Sequence, residues 1–540
     1  MPRDQTDSGR RGLYAIVAVA AALRVFPVWF GLPYLRARPD EETAVWHALA
    51  VLGGDFNPHF FHWPSLTFYA LATLFEMASW IRGVLFADSA LTDIEHLVLA
   101  RTFVAAAGTL TVVALFRLTR RIAGEATGLI AAAFLAVAIL HVRESHFAMT
   151  DVLMTLLVTV SLDFLMRASE TAMAAPLDAR GLRDFAAAGL AGGLAASTKY
   201  SAAVVVAAMG AVQVLRLMDA RQSLWERRTW TPSIVFLVAF GCGFVVATPY
   251  ALLDFPVFAA DLRFDFTHLS EGHVGNLSRG WSYHLTRSLP YGAGLSIFLA
   301  AIAGVVPFVR HYGRPAFVIG AFAAALYALI GSGHAVFFRY VLPLVPVVCL
   351  LAAVAVRHLG IWLVDRTGLS NGAVVALLTA VVGGPALVNS AWFDALLART
   401  DTRVLAARWL VPRLKGEETL HEAGGVYAEM DLAGAGYHRW SFDPATKSFG
   451  DPGGRSPDWL VFHESPLWTY AAVPPELRRL ARDKYVLADV VHATKGPAAG
   501  SAVYDLQDAF FMPMTGFITV ERPGPTVSIY RRSDLPLSVP

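Results

Sequence analysis

The stretch GLIAAAFLAVAILHVRESHFAMTD, residues 128–151, decides the fold of this chain. Its first half is apolar, and its second half carries charged and polar side chains from Arg143 to Asp151. A bilayer core of about 30 Å is crossed by roughly 20 apolar residues in a helix. We therefore interpret the apolar run 124–142 as a membrane span and RESHFAMTD (143–151) as a polar turn at its outer end.

The rest of the chain has the same apolar character. Of its 540 residues, 56% are hydrophobic and 16% are charged, and the mean hydropathy is +0.50. Soluble proteins of this length rarely reach that apolarity, so the composition predicts an all-α polytopic membrane protein. Cys242 and Cys349 both lie in apolar runs, which favours small core residues over a disulfide.

The basic residues constrain how many apolar runs cross the membrane. The pairs Arg10–Arg11 and Arg120–Arg121 mark cytoplasmic helix ends, so an even number of crossings must separate them. Three apolar runs lie between these pairs, and we expect the run 65–86 to lie in the outer leaflet, because Glu76 sits in its middle. About eleven spans remain, near 13–33, 97–119, 124–142, 150–167, 185–198, 200–217, 232–252, 290–309, 315–332, 340–357 and 372–392.

This topology divides the chain into two domains. A transmembrane domain covers 1–392, with its N-terminus inside and large outer loops at 34–96 and 253–289. Residues 393–540 contain Gly/Pro turns, charges and β-like runs such as TVSIY (526–530), and predict a small α/β domain outside the membrane.

Ionisable residues at membrane depth are functional candidates by default, and here they gather at the outer ends of spans. Each of them alone is equally explained by snorkelling or by a salt bridge at a helix end. Their convergence on one side indicates a cavity for an anionic substrate such as a phosphate. The residues are Arg101, Arg143, His146, Asp151, Lys199, Tyr200, Arg339 and Tyr340.

The outer loops carry a second group of candidates. RPDEETAVW (38–46) brings Asp40 and Glu41 together after the first span; the alternative is a solvated turn that caps the following helix. His62 lies in the first loop, and His273 lies in FDFTHLSEGHVG (264–275) of the second. Histidines with nearby carboxylates are candidate ligands for a divalent metal, although loop histidines are more often solvated.

These stretches resemble the GT-C membrane glycosyltransferases that use polyprenyl-phosphate sugars. Within that class the chain looks most like bacterial relatives of the protein O-mannosyltransferases and of the aminoarabinose transferases of lipid A. The resemblance implies the GT-C fold and covers most of the membrane part. It rests on the Asp40–Glu41 pair, HWPSL (62–66) at the family's KPPL or HPPL position, Arg101 at the start of a span, the stretch 128–151, TKY (198–200) and RYVLPLVP (339–346).

By this resemblance the chain is a hexosyl- or pentosyltransferase, and Asp40 matches the family's candidate catalytic carboxylate. An acceptor hydroxyl needs a positioned base as its oxygen attacks the anomeric carbon, and a single displacement there inverts the configuration. Asp40 is expected to be that base, with Glu41 and Asp151 completing the catalytic set. The phosphate or sugar is expected to contact Arg101, Arg143, His146, Lys199, Tyr200, Arg339 and Tyr340.

The resemblance also bears on cofactor and partners. His62 and His273 match metal-ligand positions of the aminoarabinose branch, so a divalent cation is a candidate cofactor; this chain has His62 where that branch has an acid. The expected partners are a polyprenyl-phosphate-linked sugar, a protein, lipid or glycan acceptor, and lipid of the bacterial cytoplasmic membrane, with no nucleic acid.

Two alternatives remain. The first is a lipid or sugar transporter or flippase that uses the same buried charges, although a carrier should place charges along a path open to both sides. The second is an assembly scaffold with a degenerate site, against which the intact Asp40 and Asp151 argue.

Overall fold

The computed structural model describes residues 3–86, 88–174, 179–220, 225–275, 277–450, 454–496 and 502–536. Contacts between residues divide the chain into two compact units. The first, which we call the membrane unit, comprises Met1–Val28 and Thr43–Ala391; the second, the C-terminal unit, comprises Trp29–Glu42 and Trp392–Pro540. The predicted division at 392/393 assigned residues 29–42 to the membrane domain, whereas the structure places them in the C-terminal unit.

The membrane part of the chain is helical. Its helices are α1 (Arg3–Val25), α2 (Glu41–Leu52), α3 (Leu66–Phe86), α4 (Asp93–Ala123), α5 (Glu125–Val137), α6 (Ile139–Glu144), α7 (Asp151–Ala174), α8 (Ala179–Ala196), α9 (Val206–Ala220), α10 (Arg227–Ala247), α11 (Tyr250–Leu253), α12 (Phe255–Glu271), α13 (Gly280–Tyr283), α14 (Leu289–Ala293), α15 (Leu295–His311), α16 (Gly313–Ser332), α17 (Val345–Thr367) and α18 (Asn371–Leu397). Tighter 3₁₀ segments precede α9 at Tyr200–Val205 and α17 at Phe338–Leu344, and a π-helical segment covers His284–Ser288.

The helices confirm a multi-pass membrane protein. In the described ranges, seven helical segments are long and apolar enough to cross a bilayer, or eight if the pair Gly280–Ala293 and Leu295–His311, bent by 115°, forms one broken span. The predicted run 65–86 forms α3, which is not among the seven, and the run 124–142 is divided between α5 and α6. The count of eleven, and the place of α3 in the outer leaflet, therefore stay predictions.

Small residues bring α8 and α10 into close contact. A Cβ atom added to Gly189 would lie 2.1 Å from the carbonyl oxygen of Phe236, and one added to Gly193 would lie 2.0 Å from that of Phe240. Glycines four residues apart on one helix let two backbones approach in this way, as in many membrane helix pairs. The glycines of α8 therefore explain how this short helix packs tightly just before Lys199.

The C-terminal unit is built on a five-stranded mixed sheet. Strands β1 (Thr419–Ala423), β2 (His438–Arg439), β3 (Trp459–Glu464), β4 (Tyr485–Val491) and β5 (Thr526–Arg532) are ordered β2-β1-β3-β5-β4. Strand β1 pairs in parallel with β2 and β3, whereas β5 is antiparallel to β3 and β4.

Alternate residues of β3 face opposite sides of this sheet. Trp459 and Val461 pack with helix α19 (Thr402–Leu410), and Leu460 and Phe462 pack with α20 (Pro475–Lys484). The predicted small α/β domain is thus confirmed, with β5 covering the predicted strand TVSIY.

Candidate functional site

Lys199 forms an ion pair with Asp151 in the membrane unit. Asp151 is the first residue of α7, where the helix dipole favours a carboxylate, and Lys199 lies in extended backbone between α8 and the 3₁₀ segment that precedes α9. The distance from Lys199 Nζ to Asp151 Oδ1 is 2.6 Å, and the side chains are 23% and 1% exposed. Asp151 Oδ2 is buried and has no hydrogen-bond partner within the described ranges. The pair thus combines a partly exposed cation with an unused buried acceptor.

Aromatic rings connect this pair to Arg339. Lys199 Nζ lies 4.8 Å from the centre of the Tyr340 ring. Tyr340 packs against Phe337 at 5.3 Å between ring centres, and the Arg339 guanidinium lies 4.1 Å from the centre of the same Phe337 ring. Four residues predicted from three separate stretches are therefore part of one connected group. We call Asp151, Lys199, Phe337, Arg339 and Tyr340 the Lys199 cluster.

The loop histidines continue this line of contacts. The His273 ring lies 5.1 Å from Phe337, and its Nδ1 is 2.9 Å from Nε2 of His268. His268 stacks on Phe264 at 6.1 Å, and Phe264 meets the His62 ring at 5.0 Å. The two histidines predicted from opposite outer loops are therefore joined to the Lys199 cluster by successive ring contacts.

Helix α12 holds the first outer loop through a row of carboxylates. Asp254, which precedes the helix, and Asp261 and Asp265 within it are spaced by seven and four residues, which places them on one helical face. Each contacts the loop: Asn57 donates to Asp254 at 2.9 Å, the Phe61 N–H to Asp261 at 2.7 Å, and His62 Nδ1 lies 2.9 Å from Asp265 Oδ1. The hydrogen bond to Asp265 raises the pKa of His62 above its ordinary value, and burial opposes this effect.

Tyr200 fixes the same loop next to Lys199. Its hydroxyl donates a 2.6 Å hydrogen bond to the Phe61 carbonyl oxygen, and its ring meets Phe258 of α12 at 6.1 Å. Tyr200 was predicted as a substrate contact, and that role stays a prediction. In the structure its hydroxyl links the His62 loop to the residue next to Lys199.

The predicted metal ligands are paired with other groups. His62 is bonded to Asp265 and His273 lies against His268. In the part of the chain that the structure describes, no group of three or more His, Cys, Asp or Glu side chains has the geometry to hold a metal ion. The predicted pair His62 and His273 thus does not fit a divalent cation.

Arg101 and His146 contact the backbone just after α1, and Arg143 contacts its own neighbours in the chain. Arg101 is fully buried and donates to the Val28 carbonyl oxygen at 2.9 Å. His146 Nε2 lies 2.8 Å from the Phe26 carbonyl oxygen. Arg143 pairs with the neighbouring Glu144, and its guanidinium lies 5.2 Å from the Phe147 ring centre. Arg101 and His146 therefore hold the backbone that follows the first helix, at Val28 and Phe26.

Asp40 and Glu41 belong to the C-terminal unit. Glu41 is buried and begins α2, and Asp40 is half-buried. Asp40 has a φ of +72°, and in the described ranges only His59 and Lys447 share a positive φ among residues other than glycine. Left-handed backbone at a residue with a side chain costs free energy and collects at functional positions. Burial, followed by the charge of Asp40, raises the pKa of the adjacent Glu42 carboxyl.

Sequence reasoning missed the carboxylates Asp254, Asp261 and Asp265 and the ring of Phe337. The spacing of the three acids on a helical pattern was a usable signal, because residues 254, 261 and 265 repeat on one face. Phe337 carried no such signal, since an aromatic residue in an apolar run is ordinarily core.

Comparison with known proteins agrees with this architecture. Residues 85–258 match the sequence model of the dolichyl-phosphate-mannose-protein mannosyltransferase family. That segment contains Arg101, Arg143, His146, Asp151, Lys199 and Tyr200. No curated protein sequence matches the chain.

Solved membrane glycosyltransferases share the fold at low sequence identity. The oligosaccharyltransferase of Archaeoglobus fulgidus in its apo form has a TM-score of 0.53 at 12% identity, covering 97% of this chain and 88% of its own. The archaeal oligosaccharyltransferase AglB from Archaeoglobus fulgidus, in complex with an inhibitory peptide and a dolichol-phosphate, has a TM-score of 0.51 at 12% identity, covering 90% of this chain and 73% of its own. The family model covers less than half of the chain, and the solved structures show that the chain shares their fold.

Proposed function

We propose that the protein transfers a sugar from a polyprenyl-phosphate donor to a hydroxyl acceptor on the outer face of a bacterial cytoplasmic membrane, with inversion at the anomeric carbon. The observation that carries the proposal is the Lys199 cluster. Residues far apart in the sequence meet there: Lys199 pairs with the buried Asp151 carboxylate, and the rings of Tyr340 and Phe337 connect this pair to a second cation, Arg339. The family match and the dolichol-phosphate complex of the archaeal relative support a lipid-phosphate donor.

Lys199 and Arg339 serve the leaving group in this proposal. When the acceptor oxygen bonds to the anomeric carbon, the bond to the phosphate oxygen breaks and negative charge grows on the lipid phosphate. Cations already in place stabilise that charge more effectively than reorganising water does. Asp151 holds the Lys199 ammonium at 2.6 Å and so sets its direction. Tyr340 supplies a ring face under the same ammonium.

Asp40 accepts the proton of the acceptor hydroxyl. A carboxylate in this role removes the proton as the C–O bond forms, which contributes typically 10²- to 10⁴-fold in rate, as an order of magnitude. The left-handed backbone of Asp40 supports this assignment, because residues with a side chain in this conformation collect at functional positions. Glu41 lies buried at the start of α2, next to that carboxylate.

The remaining predicted contacts have different roles in this proposal. Arg101 and His146 hold the chain after α1, and Tyr200 holds the His62 loop, so these three position the site in addition to any contact with the sugar. No step is routed through a metal, because the donor set around His62 and His273 does not fit one. The zinc and sulfate complex of the archaeal relative is a property of that protein.

The test is sugar transfer in proteoliposomes that contain a radiolabelled polyprenyl-phosphate sugar. The unmodified protein is expected to convert the donor into a glycosylated acceptor of opposite anomeric configuration. Asp40→Asn is expected to lower kcat by about 10²- to 10⁴-fold with little change in donor KM. Transfer by Asp40→Asn at the unmodified rate would refute the base assignment, and the movement of intact donor across the bilayer without transfer would favour a flippase.

A further inference from the structure

The backbone that carries Asp40 is held by side chains from the far end of the chain. The segment Trp29–Glu42 is part of the C-terminal unit, although 349 residues, 43–391, separate it from the rest of that unit. The Phe30 ring meets Phe510 edge to face at 6.1 Å between centres. Ala37 and Arg38, close to the catalytic candidate, are almost completely buried. This segment is therefore packed within the C-terminal unit and is not a free loop.

Arg38 is the first side chain that holds the backbone before Asp40. Its Nη1 lies 3.0 Å from Asp508 Oδ1, and the two side chains are 0% and 3% exposed. The same nitrogen donates to the Pro39 carbonyl oxygen at 3.0 Å, and the guanidinium lies 5.9 Å from the centre of the Phe510 ring. Asp508 thus fixes a guanidinium that itself fixes the peptide group directly before Asp40.

Arg403 is the second such side chain. It is 1% exposed, donates to Asp401 through Nε at 2.9 Å and Nη2 at 2.8 Å, and lies 4.8 Å from the centre of the Tyr34 ring. The same Nη2 donates to the Ala37 carbonyl oxygen at 3.1 Å, and Nη1 donates to the Tyr427 carbonyl oxygen at 2.8 Å. A planar guanidinium with five donors can hold several acceptors in a fixed arrangement.

Asp40 itself shows the result of this restraint. Its φ of +72° lies in the left-handed region, which Asp adopts more readily than most residues with a side chain, and the backbone just before it is held at Ala37 and Pro39. Burial, followed by the negative charges of Asp40 and Glu42, raises the pKa of the Tyr427 phenol, so this ring of the C-terminal unit lies within electrostatic reach of the carboxylate.

We propose that the C-terminal unit positions the carboxylate of Asp40 through Arg403 and the Arg38–Asp508 pair. This inference rests on the proposed function, in which Asp40 is the base. Arg38, Arg403 and Asp508 are positioning residues: they act on the direction of the Asp40 carboxylate and leave donor binding to other residues. The C-terminal unit then holds in place the carboxylate that it contributes itself.

The test compares two buried arginine–carboxylate pairs of the C-terminal unit. Asp508→Asn weakens the pair that holds the Asp40 segment. Its matched control is Glu418→Gln, which weakens the pair between Arg531 and Glu418, 2.7 Å apart and 5% and 12% exposed. Asp508→Asn is expected to lower kcat by about 10- to 100-fold, as expected for misplacement of a catalytic group by about 1 Å, with donor KM unchanged. Glu418→Gln is expected to lower the thermal midpoint similarly and leave kcat unchanged.

A second measurement places the effect at Asp40. In an Asp40→Asn background, adding Asp508→Asn is expected to leave the residual rate unchanged, because the positioned group is already gone. Equal kcat for Asp508→Asn and Glu418→Gln, or additive losses in the double variant, would overturn the positioning role. Full activity of Asp40→Asn alone would instead overturn the proposed function. Arg38→Lys keeps the charge and serves if Asp508→Asn fails to fold; it is expected to lower kcat, and an unchanged kcat overturns the inference.

Discussion

Replacing Lys199 by methionine separates its two expected contributions, one to donor binding and one to folding. The substitution removes the charge and leaves an unbranched apolar side chain that is one atom shorter. A hydrogen bond to a charged group contributes about 1.5–3 kcal/mol. Because about 1.4 kcal/mol of binding free energy corresponds to a tenfold change in affinity, the donor KM is expected to rise roughly 10- to 100-fold.

The same substitution leaves Asp151 without its cation. That carboxylate is 1% exposed, and removal of one partner from a buried pair costs about 3–5 kcal/mol. Because Lys199 is 23% exposed, we expect a loss near the lower end, about 3 kcal/mol, seen as a lower thermal midpoint in detergent. The double variant Lys199→Met/Asp151→Asn removes the unpaired charge and is expected to recover most of the stability.

Donor binding and stability should therefore respond differently in the double variant. Donor KM, measured by transfer in proteoliposomes, is expected to stay high although the thermal midpoint recovers. Arg167→Met is the control, because Arg167 Nε lies 3.0 Å from Asp184 in a similarly half-buried ion pair elsewhere on α7 and α8. This variant is expected to lose stability while its donor KM stays the same. If the double variant recovers donor KM along with stability, Lys199 is a structural residue and the proposed phosphate contact is wrong.

Three further predictions concern the loop, the cofactor and the helix contact. Because the pKa of His62 is raised in the folded protein, its bond to Asp265 stabilises the loop in full below the ordinary pKa of 6.5, and this stabilisation is lost as the pH rises through the folded pKa. Proteolysis of loop 53–65 should therefore increase over that pH range. His62→Gln should abolish this pH dependence. The rate of sugar transfer should be unchanged by excess chelator. A rate that falls with chelator and is restored by one divalent cation would contradict the conclusion that His62 and His273 do not fit a metal ion. Gly193→Ala should lower the thermal midpoint, at a cost of about 1–3 kcal/mol, because the new Cβ meets the Phe240 carbonyl; Gly210→Ala, where nothing lies within 4 Å of the new Cβ, should not.

The membrane fold could be predicted from the sequence because the length of an apolar run is a strong local signal. Apolar runs of about 20 residues have few stable states other than a membrane helix. The exact helix boundaries were not accessible. The run 124–142 is broken at Ala138, and the run 290–309 bends at Gly294, which no average over hydropathy detects.

The candidate site was only partly accessible. Lys199 and Asp151 could be selected because charges beside apolar helices stand out, but their 2.6 Å contact depends on packing between distant segments. The placement of Asp40 was missed. A short segment after the first helix gave no sign of packing with residues beyond 400, because its partners Asp508 and Arg403 lie in ordinary-looking polar sequence.

The row of carboxylates on α12 has a consequence for how this chain tolerates insertions. Asp254, Asp261 and Asp265 contact the first outer loop because eleven residues make close to three turns of helix. One added residue between Asp254 and Asp265 would rotate the later acids by about 100° and turn them away from Phe61 and His62. Length variation among related sequences should therefore be absent between positions 254 and 265 and permitted after Gly272. The contacts with the first outer loop thus constrain the number of residues between these acids as strictly as they constrain the acids themselves.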